Sequence, residues 1–444
     1  HDPQQPDGYQ VFNLRERLTY YFAPVAATTS EPAFCLLQAV SNAHGQSLQF
    51  TYTEQGYLQG IKDSAQRALE VLTDATGRII AINLPLPEGV SGTFAAVQYT
   101  YDELGNMTAA IDAEGYAARY DYEGNLLVRK TFREGTSFYF EYDAQARCTR
   151  TWGDENYYNG SFFYAEGHTV LLNEEPSARH EYFHQNGLVT RYIDPVGAIH
   201  EWYYNQYNEL ELARDPLGQT TTYDYDARGN QVGISYSAGT RVGLNYDAHN
   251  LLVAATDITG GTWKWEHDEQ GNLLRAQNPA GAVTEYTYDQ TGRLVTITDA
   301  LNHATHLRYD SQQNVAHIVT PDGHIRSRTY DALGRSVILT DALGYQQHRR
   351  YDRLGRLVAL QEPDGRQVSL VYDGEGNVVR AQDGQQEVEF AYTAVKRLAR
   401  RRQAGQEIQF TYDREGRLVQ LINEHNLPYR FTLDAAGRVV AEEG

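Results

Sequence analysis

The most constraining feature of the sequence is a degenerate hexapeptide, Tyr-Asp-x-x-Gly-Asn/Arg, which recurs in register along the chain. Its anchor position falls at residues 204, 225, 246, 267, 288, 309, 330, 351 and 372, at successive intervals of 21 residues. A fixed period of this length is typical of repeat architectures. The clearest copies contain Tyr225, Asp226 and Gly229; Tyr288, Asp289 and Gly292; Tyr330, Asp331 and Gly334; and Tyr351, Asp352 and Gly355.

A second turn signal lies within each period, as in Asp215-Pro216-Leu217-Gly218 and Asp341-Ala342-Leu343-Gly344. An Asp or Asn that caps local N–H groups, a Pro that presets φ and a Gly that accepts a left-handed conformation are typical of type I turns. Two turns in 21 residues leave two segments of six or seven residues, which are strand lengths and too short for helices.

These segments alternate as strands do, with Val295 and Ile297 two residues apart in one segment and Tyr286 and Tyr288 in the next. Each repeat is therefore predicted to be a β-hairpin. One hairpin is marginally stable, so stability has to come from pairing with neighbouring repeats. The predicted fold is all-β: an array of antiparallel hairpins in one continuous sheet, which curves or spirals because sheets twist. The many tyrosines suit strand faces that stay partly wet.

The regularity of the repeat divides the chain into three predicted segments. Residues 1–45 are predicted to be an irregular lead-in with a few strands, near Tyr9–Phe12 and Leu18–Phe22. Residues 46–180 are predicted to contain degenerate repeats, with a Pro- and Gly-containing insertion near residues 84–93 and Ala146 in place of the expected Gly. Residues 181–444 are predicted to contain the regular array.

The balance of charge restricts the partners. Asp and Glu outnumber Lys and Arg by 58 to 38, for a formal charge of −20, and clustered cations for nucleic acid or anionic membrane surfaces are not expected. The basic run from Lys396 to Arg402 is interpreted as a solvated strand face. The two cysteines, Cys35 and Cys148, cannot form a disulfide framework. Neither an apolar run long enough to span a membrane nor a signal-peptide pattern is found.

One segment, His180-Glu181-Tyr182-Phe183-His184, matches the zinc-peptidase pattern H-E-x-x-H. That pattern works on a helix, where the two histidines share one face. In the strand predicted here they would lie about 13 Å apart, at about 3.3 Å per residue, and could not bind one ion. The sequence therefore predicts no catalytic residue, no metal site and no cofactor.

Two other patterns have functional and structural interpretations. Paired carboxylates could serve a glycosidase, but nearly every Asp is explained by a turn position. The aromatic residues could stack on sugars, but cross-strand packing explains them equally well. The four tryptophans are Trp152, Trp202, Trp263 and Trp265.

Over residues 46–444 the alternation of these two turn signals resembles the RHS/YD-repeat family. The stretch from Cys148 to Asp154, followed by Asn186-Gly187 and Asp194-Pro195-Val196-Gly197, resembles the bacterial Rhs branch more than the animal teneurins. The resemblance implies a β-sheet strip wound into a hollow shell that encapsulates a C-terminal toxin domain. In many members a self-cleavage motif after the repeats releases the toxin; the sequence reaches Gly444 inside a repeat, so neither cleavage nor toxicity carries over.

The resulting hypothesis is a non-enzymatic scaffold, a shell for a toxin used in competition between bacteria or against a host. Its expected partners are its own C-terminal toxin domain, the remaining shell segments and secretion-apparatus proteins such as those of type VI systems or toxin complexes. Open sheet edges are a route to self-association. The expected life cycle is synthesis in the cytoplasm of a bacterium followed by secretion or delivery. The alternative hypothesis is an extracellular module that binds carbohydrate or protein in adhesion.

Overall fold

The computed structural model describes residues 8–24, 35–173 and 178–444. Parts of the predicted lead-in, residues 1–7 and 25–34, lie outside the described residues, as do residues 174–177 in the least regular stretch. The described residues form 41 strands and one 3-10 turn, η1.

The strands before residue 174 are β1 (Tyr9–Asn13), β2 (Leu18–Pro24), β3 (Cys35–Ser41), β4 (Ser47–Tyr52), β5 (Leu58–Asp63), β6 (Ala68–Thr73), β7 (Ile79–Pro85), β8 (Thr93–Tyr101), β9 (Met107–Asp112), β10 (Ala117–Glu123), β11 (Leu126–Thr131), β12 (Ser137–Tyr142), β13 (Cys148–Gly153), β14 (Gly160–Ala165) and β15 (His168–Asn173), with η1 (Asp154–Asn156) between β13 and β14.

The next thirteen strands are β16 (Ala178–Gln185), β17 (Leu188–Ile193), β18 (Ile199–Tyr204), β19 (Leu210–Arg214), β20 (Thr220–Tyr225), β21 (Gln231–Tyr236), β22 (Arg241–Tyr246), β23 (Leu252–Thr256), β24 (Thr262–His267), β25 (Leu273–Gln277), β26 (Val283–Tyr288), β27 (Leu294–Thr298) and β28 (Ala304–Tyr309).

The last thirteen strands are β29 (Val315–Val319), β30 (Ile325–Tyr330), β31 (Ser336–Thr340), β32 (Gln346–Tyr351), β33 (Leu357–Gln361), β34 (Gln367–Tyr372), β35 (Val378–Asp383), β36 (Gln386–Tyr392), β37 (Leu398–Gln403), β38 (Gln406–Tyr412), β39 (Leu418–Ile422), β40 (Pro428–Leu433) and β41 (Val439–Glu443).

These strands belong to one 41-stranded sheet. Paired strands follow each other in the chain and run antiparallel, as β26 pairs with β27 and β27 with β28. The prediction of an all-β, continuous array of antiparallel YD-repeat hairpins is confirmed. In the described part of the chain no helix is long and apolar enough to cross a membrane.

The two classes of turn differ in their effect on strand register. The register shifts by one residue at the signature tyrosine, between Thr287 and Tyr288 in β26 and between Thr329 and Tyr330 in β30. The second turn joins strands without such a shift, and Thr298 lies directly opposite Ala304. A bulge of one residue bends its strand and increases the local twist. The hexapeptide therefore combines a turn with a bulge, which its sequence does not reveal.

The insertion near residues 84–93 is shorter as a loop than its sequence suggests. Strand β7 continues through Leu84 to Pro85, and β8 begins at Thr93, so the loop comprises residues 86–92. At Ala146, where Gly is expected, the backbone keeps the left-handed conformation of the turn, with φ of 60°. The three-segment division of the chain stays a prediction.

Burial follows the alternation of each strand. In β34 the side chains of Val368, Leu370 and Tyr372 are half-buried, while Gln367, Ser369 and Val371 are exposed. Among the described residues the buried hydrophobic side chains are few: Val71, Ala81, Phe94, Ala118, Val170 and Ala178. The apolar residues therefore form half-buried rows along strands and not a thick core.

Contacts group the chain into two compact units. Unit 1 comprises residues 1–98, 224–235 and 239–349, and unit 2 comprises residues 99–223, 236–238 and 350–444. In each unit an early and a late stretch of repeats meet, and their contacts join residues more than 200 positions apart, such as Arg17 with Glu269 in unit 1 and Glu134 with Gly374 in unit 2.

Candidate functional site

The signature aspartate caps the turn that follows it. Asp289 accepts hydrogen bonds through Oδ1 from the backbone N–H groups of Thr291, at 2.9 Å, and Arg293, at 3.0 Å. The N–H of Gly292 donates to the carbonyl of Asp289 at 3.0 Å, and Gly292 adopts a φ of 74°. The carboxylate thus satisfies donors that the turn would otherwise leave unpaired.

The second carboxylate oxygen binds the side chain four residues later. The guanidinium Nε of Arg335 donates to Asp331 at 2.6 Å, and that of Arg356 to Asp352 at 2.6 Å. Asn230 takes this place beside Asp226, with its amide donating at 2.9 Å. The Asn230 amide, followed by backbone donors, holds the pKa of Asp226 below its ordinary value. The Asn/Arg choice at the end of the motif thus provides a donor for the Asp.

The signature tyrosine connects one repeat to the previous one. The hydroxyl of Tyr288 donates to the backbone carbonyl of Leu273 at 2.9 Å, and that of Tyr330 to the carbonyl of Val315 at 2.8 Å. Burial raises the pKa of Tyr288. The hydroxyl of each ring therefore binds the backbone, while the ring itself stays half-buried. The same bond is made by Tyr52, Tyr142, Tyr204, Tyr309 and Tyr372.

Arginine also connects successive repeats. The guanidinium of Arg293, bound to Asp289, lies 4.7 Å from the ring centroid of Tyr309, which is the signature tyrosine of the next repeat. Arg356 lies at the same distance from the ring of Tyr372. Cation–π contacts of this kind add about 0.5–1 kcal/mol at exposed sites. Tyr225 and Tyr351 occupy the equivalent positions at the ends of β20 and β32.

The H-E-x-x-H segment lies in strand β16, and its polar groups bind different neighbours. His180 Nδ1 is 2.7 Å from the hydroxyl of Tyr192, and His184 Nε2 is 3.2 Å from Thr169 Oγ1. Burial lowers the pKa of His180. Within residues 8–24, 35–173 and 178–444, no group of three His, Cys, Asp or Glu side chains could hold a metal ion.

Aromatic residues form a row across neighbouring strands of unit 2. The Tyr192 ring stacks on Tyr182, at 4.9 Å between centroids, and its other neighbour His200 lies next to Trp202. A groove of about 470 Å³ lies at the same strands and is lined by Phe183, Tyr203 and polar side chains. Phe183 and Tyr203 alternate with Tyr182 and Trp202 along β16 and β18, so their rings lie on the opposite face of the sheet from the row. Cross-strand stacking therefore accounts for Trp202, and the groove leaves room for a ligand.

Glycines of the signature turns receive side chains from distant repeats of the same unit. In unit 1 the imidazole of His44 occupies the space into which a Cβ on Gly292 would project, and its Nε2 lies 3.0 Å from Asn272 Oδ1. In unit 2 the ring of Tyr116 lies in the same way against Gly374. These contacts could not be foreseen from the sequence, because each joins residues more than 200 positions apart and follows no period.

A cluster of charged residues joins distant repeats of unit 2. Glu134 Oε1 accepts the backbone N–H of Gly374 at 2.5 Å, and the N–H of Glu134 donates to the Glu375 carboxylate at 3.2 Å. Lys396 Nζ lies 2.5 Å from Glu375 and 4.5 Å from the ring centroid of Phe132. The Lys396 end of the basic run thus has partners on two other turns.

The family model called Teneurin YD-shell matches residues 37–185, 182–346, 255–402 and 347–441 of this chain. Two similar curated proteins come from Dickeya dadantii (strain 3937). Probable deoxyribonuclease RhsB is 25% identical over 241 residues, covering 54% of this chain and 15% of that protein. Probable deoxyribonuclease RhsA is 25% identical over 216 residues, covering 48% of this chain and 13% of that protein.

Among solved structures, the crystal structure of TcdB2-TccC3-TEV is similar to this chain with a TM-score of 0.70 and 13% sequence identity, over 98% of this chain and 33% of that one. The crystal structure of TcdB2-TccC3 gives a TM-score of 0.68 and 15% identity, over 90% of this chain and 29% of that one. At this level of identity the similarity shows the fold.

Proposed function

Since this chain belongs to the Teneurin YD-shell family, we propose that it is a non-enzymatic segment of a shell wall that encloses a polypeptide. The enclosed polypeptide is a toxin domain of the same protein, carried C-terminal to the repeats. The wall isolates it from the cell that makes it until delivery. The twelve signature residues, Tyr225, Asp226, Gly229, Tyr288, Asp289, Gly292, Tyr330, Asp331, Gly334, Tyr351, Asp352 and Gly355, serve this architecture.

The observation that carries the proposal is the way the repeats use their polar groups. The hydroxyl of Tyr288, the carboxylate of Asp289 and the guanidinium of Arg293 each bind another group of the array. With few buried side chains among the described residues, strand pairing and these contacts take the place of a thick core. Such a sheet can extend by adding repeats, which suits a wall.

The relatives' names mention deoxyribonuclease activity, and this chain matches at most 15% of their length. We assign the matched segment to the wall and any nuclease activity to residues outside it. Type VI systems and toxin complexes are the delivery routes that this proposal favours. Secretion-apparatus proteins and further shell segments would then be partners.

The groove lined by Phe183 and Tyr203 supports a second candidate function, recognition of carbohydrate or protein by an adhesion module. These two side chains provide aromatic rings, and Asn186 and Asn205 line the same groove. Aromatic faces combined with amide groups suit sugars. Glycan-array binding that disappears in a Tyr203→Ala variant would favour this function over enclosure.

Limited proteolysis of the longest natural polypeptide that contains this chain tests enclosure. In the intact polypeptide, cleavage sites in the part that lies outside the wall sequence should be cut at least tenfold more slowly than the same sites in that part expressed alone. Weakening the wall by Tyr288→Phe with Tyr330→Phe should shorten this protection, whereas Tyr345→Phe, which changes an exposed ring, should leave it unchanged. Equal cleavage rates in the free and the wall-containing forms would refute enclosure.

A further inference from the structure

Four consecutive strands of unit 1, β27 to β30, lack acidic residues. None of these strands contains Asp or Glu within its own bounds, and neither do the next four strands, β31 to β34, although the chain carries 58 acidic and 38 basic residues. Their Asp residues are confined to the connecting turns. The run of strands is therefore a local departure from the charge of the protein.

Three basic side chains lie on one face of this run. His306 and Arg308 are two residues apart in β28, and Arg308 lies directly opposite His317 of β29. All three side chains are exposed. Side chains two residues apart on a strand lie on the same face, about 6.6 Å apart at 3.3 Å per residue. We call His306, Arg308 and His317 the basic triplet.

The groups that face the triplet from neighbouring strands are mostly uncharged. On the β27 side they are Thr296 and Thr298, and Thr296 Oγ1 lies 3.2 Å from His306 Nδ1. From β29 itself Val319 lies opposite His306, and on the β30 side Ser327 lies opposite His317 with Thr329 beyond it. No carboxylate stands among them.

The nearest carboxylate on that face along the sheet is Glu285 of β26, which lies opposite Thr298 of β27. Two strand spacings, about 10 Å, separate β26 from β28. Within the part of the chain that the structure describes, Arg308 makes no ion pair. Its guanidinium is thus a permanent charge that the fold leaves available.

The spacing and charge of the triplet fit one kind of ligand. An extended acidic peptide presents carboxylates on one side every second residue, which matches the separation of His306 and Arg308. The two imidazoles beside the guanidinium offer further hydrogen-bonding nitrogens. A single permanent cation neutralises too few phosphates for stable binding of nucleic acid.

We propose that His306, Arg308 and His317 form a docking surface for an acidic polypeptide segment in extended conformation. Arg308 provides the charge of this surface, and the imidazoles of His306 and His317 add hydrogen-bonding groups beside it. The surface does not depend on enclosure by the wall.

Fluorescence anisotropy of a labelled deca-aspartate peptide with the full chain tests this surface. The peptide should bind at least tenfold more tightly than a labelled deca-asparagine peptide. Arg308→Glu should weaken binding at least tenfold. His306→Ala with His317→Ala should weaken binding less than Arg308→Glu does and keep the binding that Arg308 provides.

Arg326→Glu is the matched control, since Arg326 is exposed on β30 but alternates with Ser327 and lies on the other face. It should change the affinity less than twofold, and circular dichroism should be the same for all variants. Equal loss in Arg308→Glu and Arg326→Glu, or no binding of the peptide, would overturn the proposal. So would a single-stranded oligonucleotide of ten nucleotides that binds more tightly than the peptide and responds to the same variants.

Discussion

The hydroxyl of Tyr288 donates a hydrogen bond to the backbone carbonyl of Leu273, 2.9 Å away and fifteen residues earlier in the chain. Leu273 is the first residue of β25 and Tyr288 is the last of β26. The bond therefore crosses a complete hairpin and fixes the strand end at the bulge. Its recurrence at other signature tyrosines makes it a unit of the architecture.

Removing this bond should weaken the array locally. We expect Tyr288→Phe to lower the free energy of local opening around β25 and β26 by about 1–1.5 kcal/mol, because the Leu273 carbonyl loses its donor in a half-buried site. Hydrogen exchange resolves this effect in a repeat protein, where neighbours open nearly independently. Tyr345→Phe, at a ring that is 57% exposed, should change exchange very little. Equal changes in both variants would contradict this role of the hydroxyl.

Gly292 should be more sensitive to a side chain than other turn glycines. Its φ of 74° and the position of His44 both oppose a Cβ, whereas Gly344 has a φ of 88° and open space around it. We expect Gly344→Ala to cost about 1 kcal/mol from the left-handed conformation alone. Gly292→Ala should lower the free energy of unfolding by about 1–3 kcal/mol more, because the added methyl group would collide with the His44 ring.

Thermal unfolding measures this difference in a double-mutant cycle of four proteins: the unchanged chain, Gly292→Ala, His44→Ala and the double variant. In a His44→Ala background the extra cost of Gly292→Ala should largely disappear, since the ring that fills the space is gone. A cost that is the same with and without His44 would show that the two residues are not coupled.

Lys396 should stabilise unit 2 more than an ordinary surface cation. Its partner Glu375 is 4% exposed, so Lys396→Met leaves a buried carboxylate that keeps the hydrogen bond from the N–H of Glu134 but loses its cation. Since Lys396 itself is 40% exposed and solvent screens part of the pair, we expect a loss of about 2 kcal/mol. Denaturant unfolding monitored by hydrogen exchange in unit 2 measures it.

Arg366 and Asp383 provide the control for this prediction. They form an ion pair at 3.1 Å with 51% and 46% of their side chains exposed. Arg366→Met should cost about 0.5 kcal/mol or less, as for typical surface pairs. A larger loss for Arg366→Met than for Lys396→Met would contradict the importance of burial.

Alkaline solution should unfold the array together with tyrosine ionisation. Burial raises the pKa of Tyr288, Tyr309 and Tyr372, and it raises the pKa of Tyr192 to about 12. Because these folded-state values exceed the unfolded value of about 10, the stabilisation is full below pH 10 and is lost as the pH rises through the folded-state values. Absorbance at 295 nm and far-ultraviolet circular dichroism should change together above about pH 10. Ionisation near pH 10 without any loss of β-structure would contradict the prediction.

Acid should act through the turn aspartates. The Thr259 hydroxyl lowers the pKa of Asp257, and the Thr320 hydroxyl, followed by the His324 imidazole, lowers that of Asp322 to about 2. Folded-state values below the unfolded value of about 3.9 give stability that is present above pH 4 and lost as the pH falls toward 2. We expect circular dichroism to show unfolding in this interval. Asp257→Asn should keep the turn cap and reduce the acid sensitivity of that turn, and unchanged sensitivity would argue against this cause.

The sequence by itself determined the period, the two turn classes and the strand alternation. The motif that contains Tyr288, Asp289 and Gly292 predicts a turn, because the groups that form the turn lie within five residues. The local sequence is therefore nearly sufficient to predict it. The same local pattern placed His180 and His184 of the H-E-x-x-H segment in a strand, where the two side chains are too far apart to bind one ion. The bulge at Tyr288 was missed because register depends on the partner strand.

Only the tertiary structure decided which groups meet across repeats. The bond from Tyr288 to Leu273, the seat of His44 against Gly292 and the approach of Glu134 to Gly374 depend on how strands stack and on contacts more than 200 residues apart. The Tyr288 bond recurs with the repeat, but the contacts of His44 with Gly292 and of Glu134 with Gly374 have no periodic signature. The alignment of His306, Arg308 and His317 likewise follows from the register of β28 with β29. The hydrogen bonds of each turn join residues that are close in sequence, so the repeat can be recognised from the sequence. Contacts between distant repeats depend on the combined geometry of many strands.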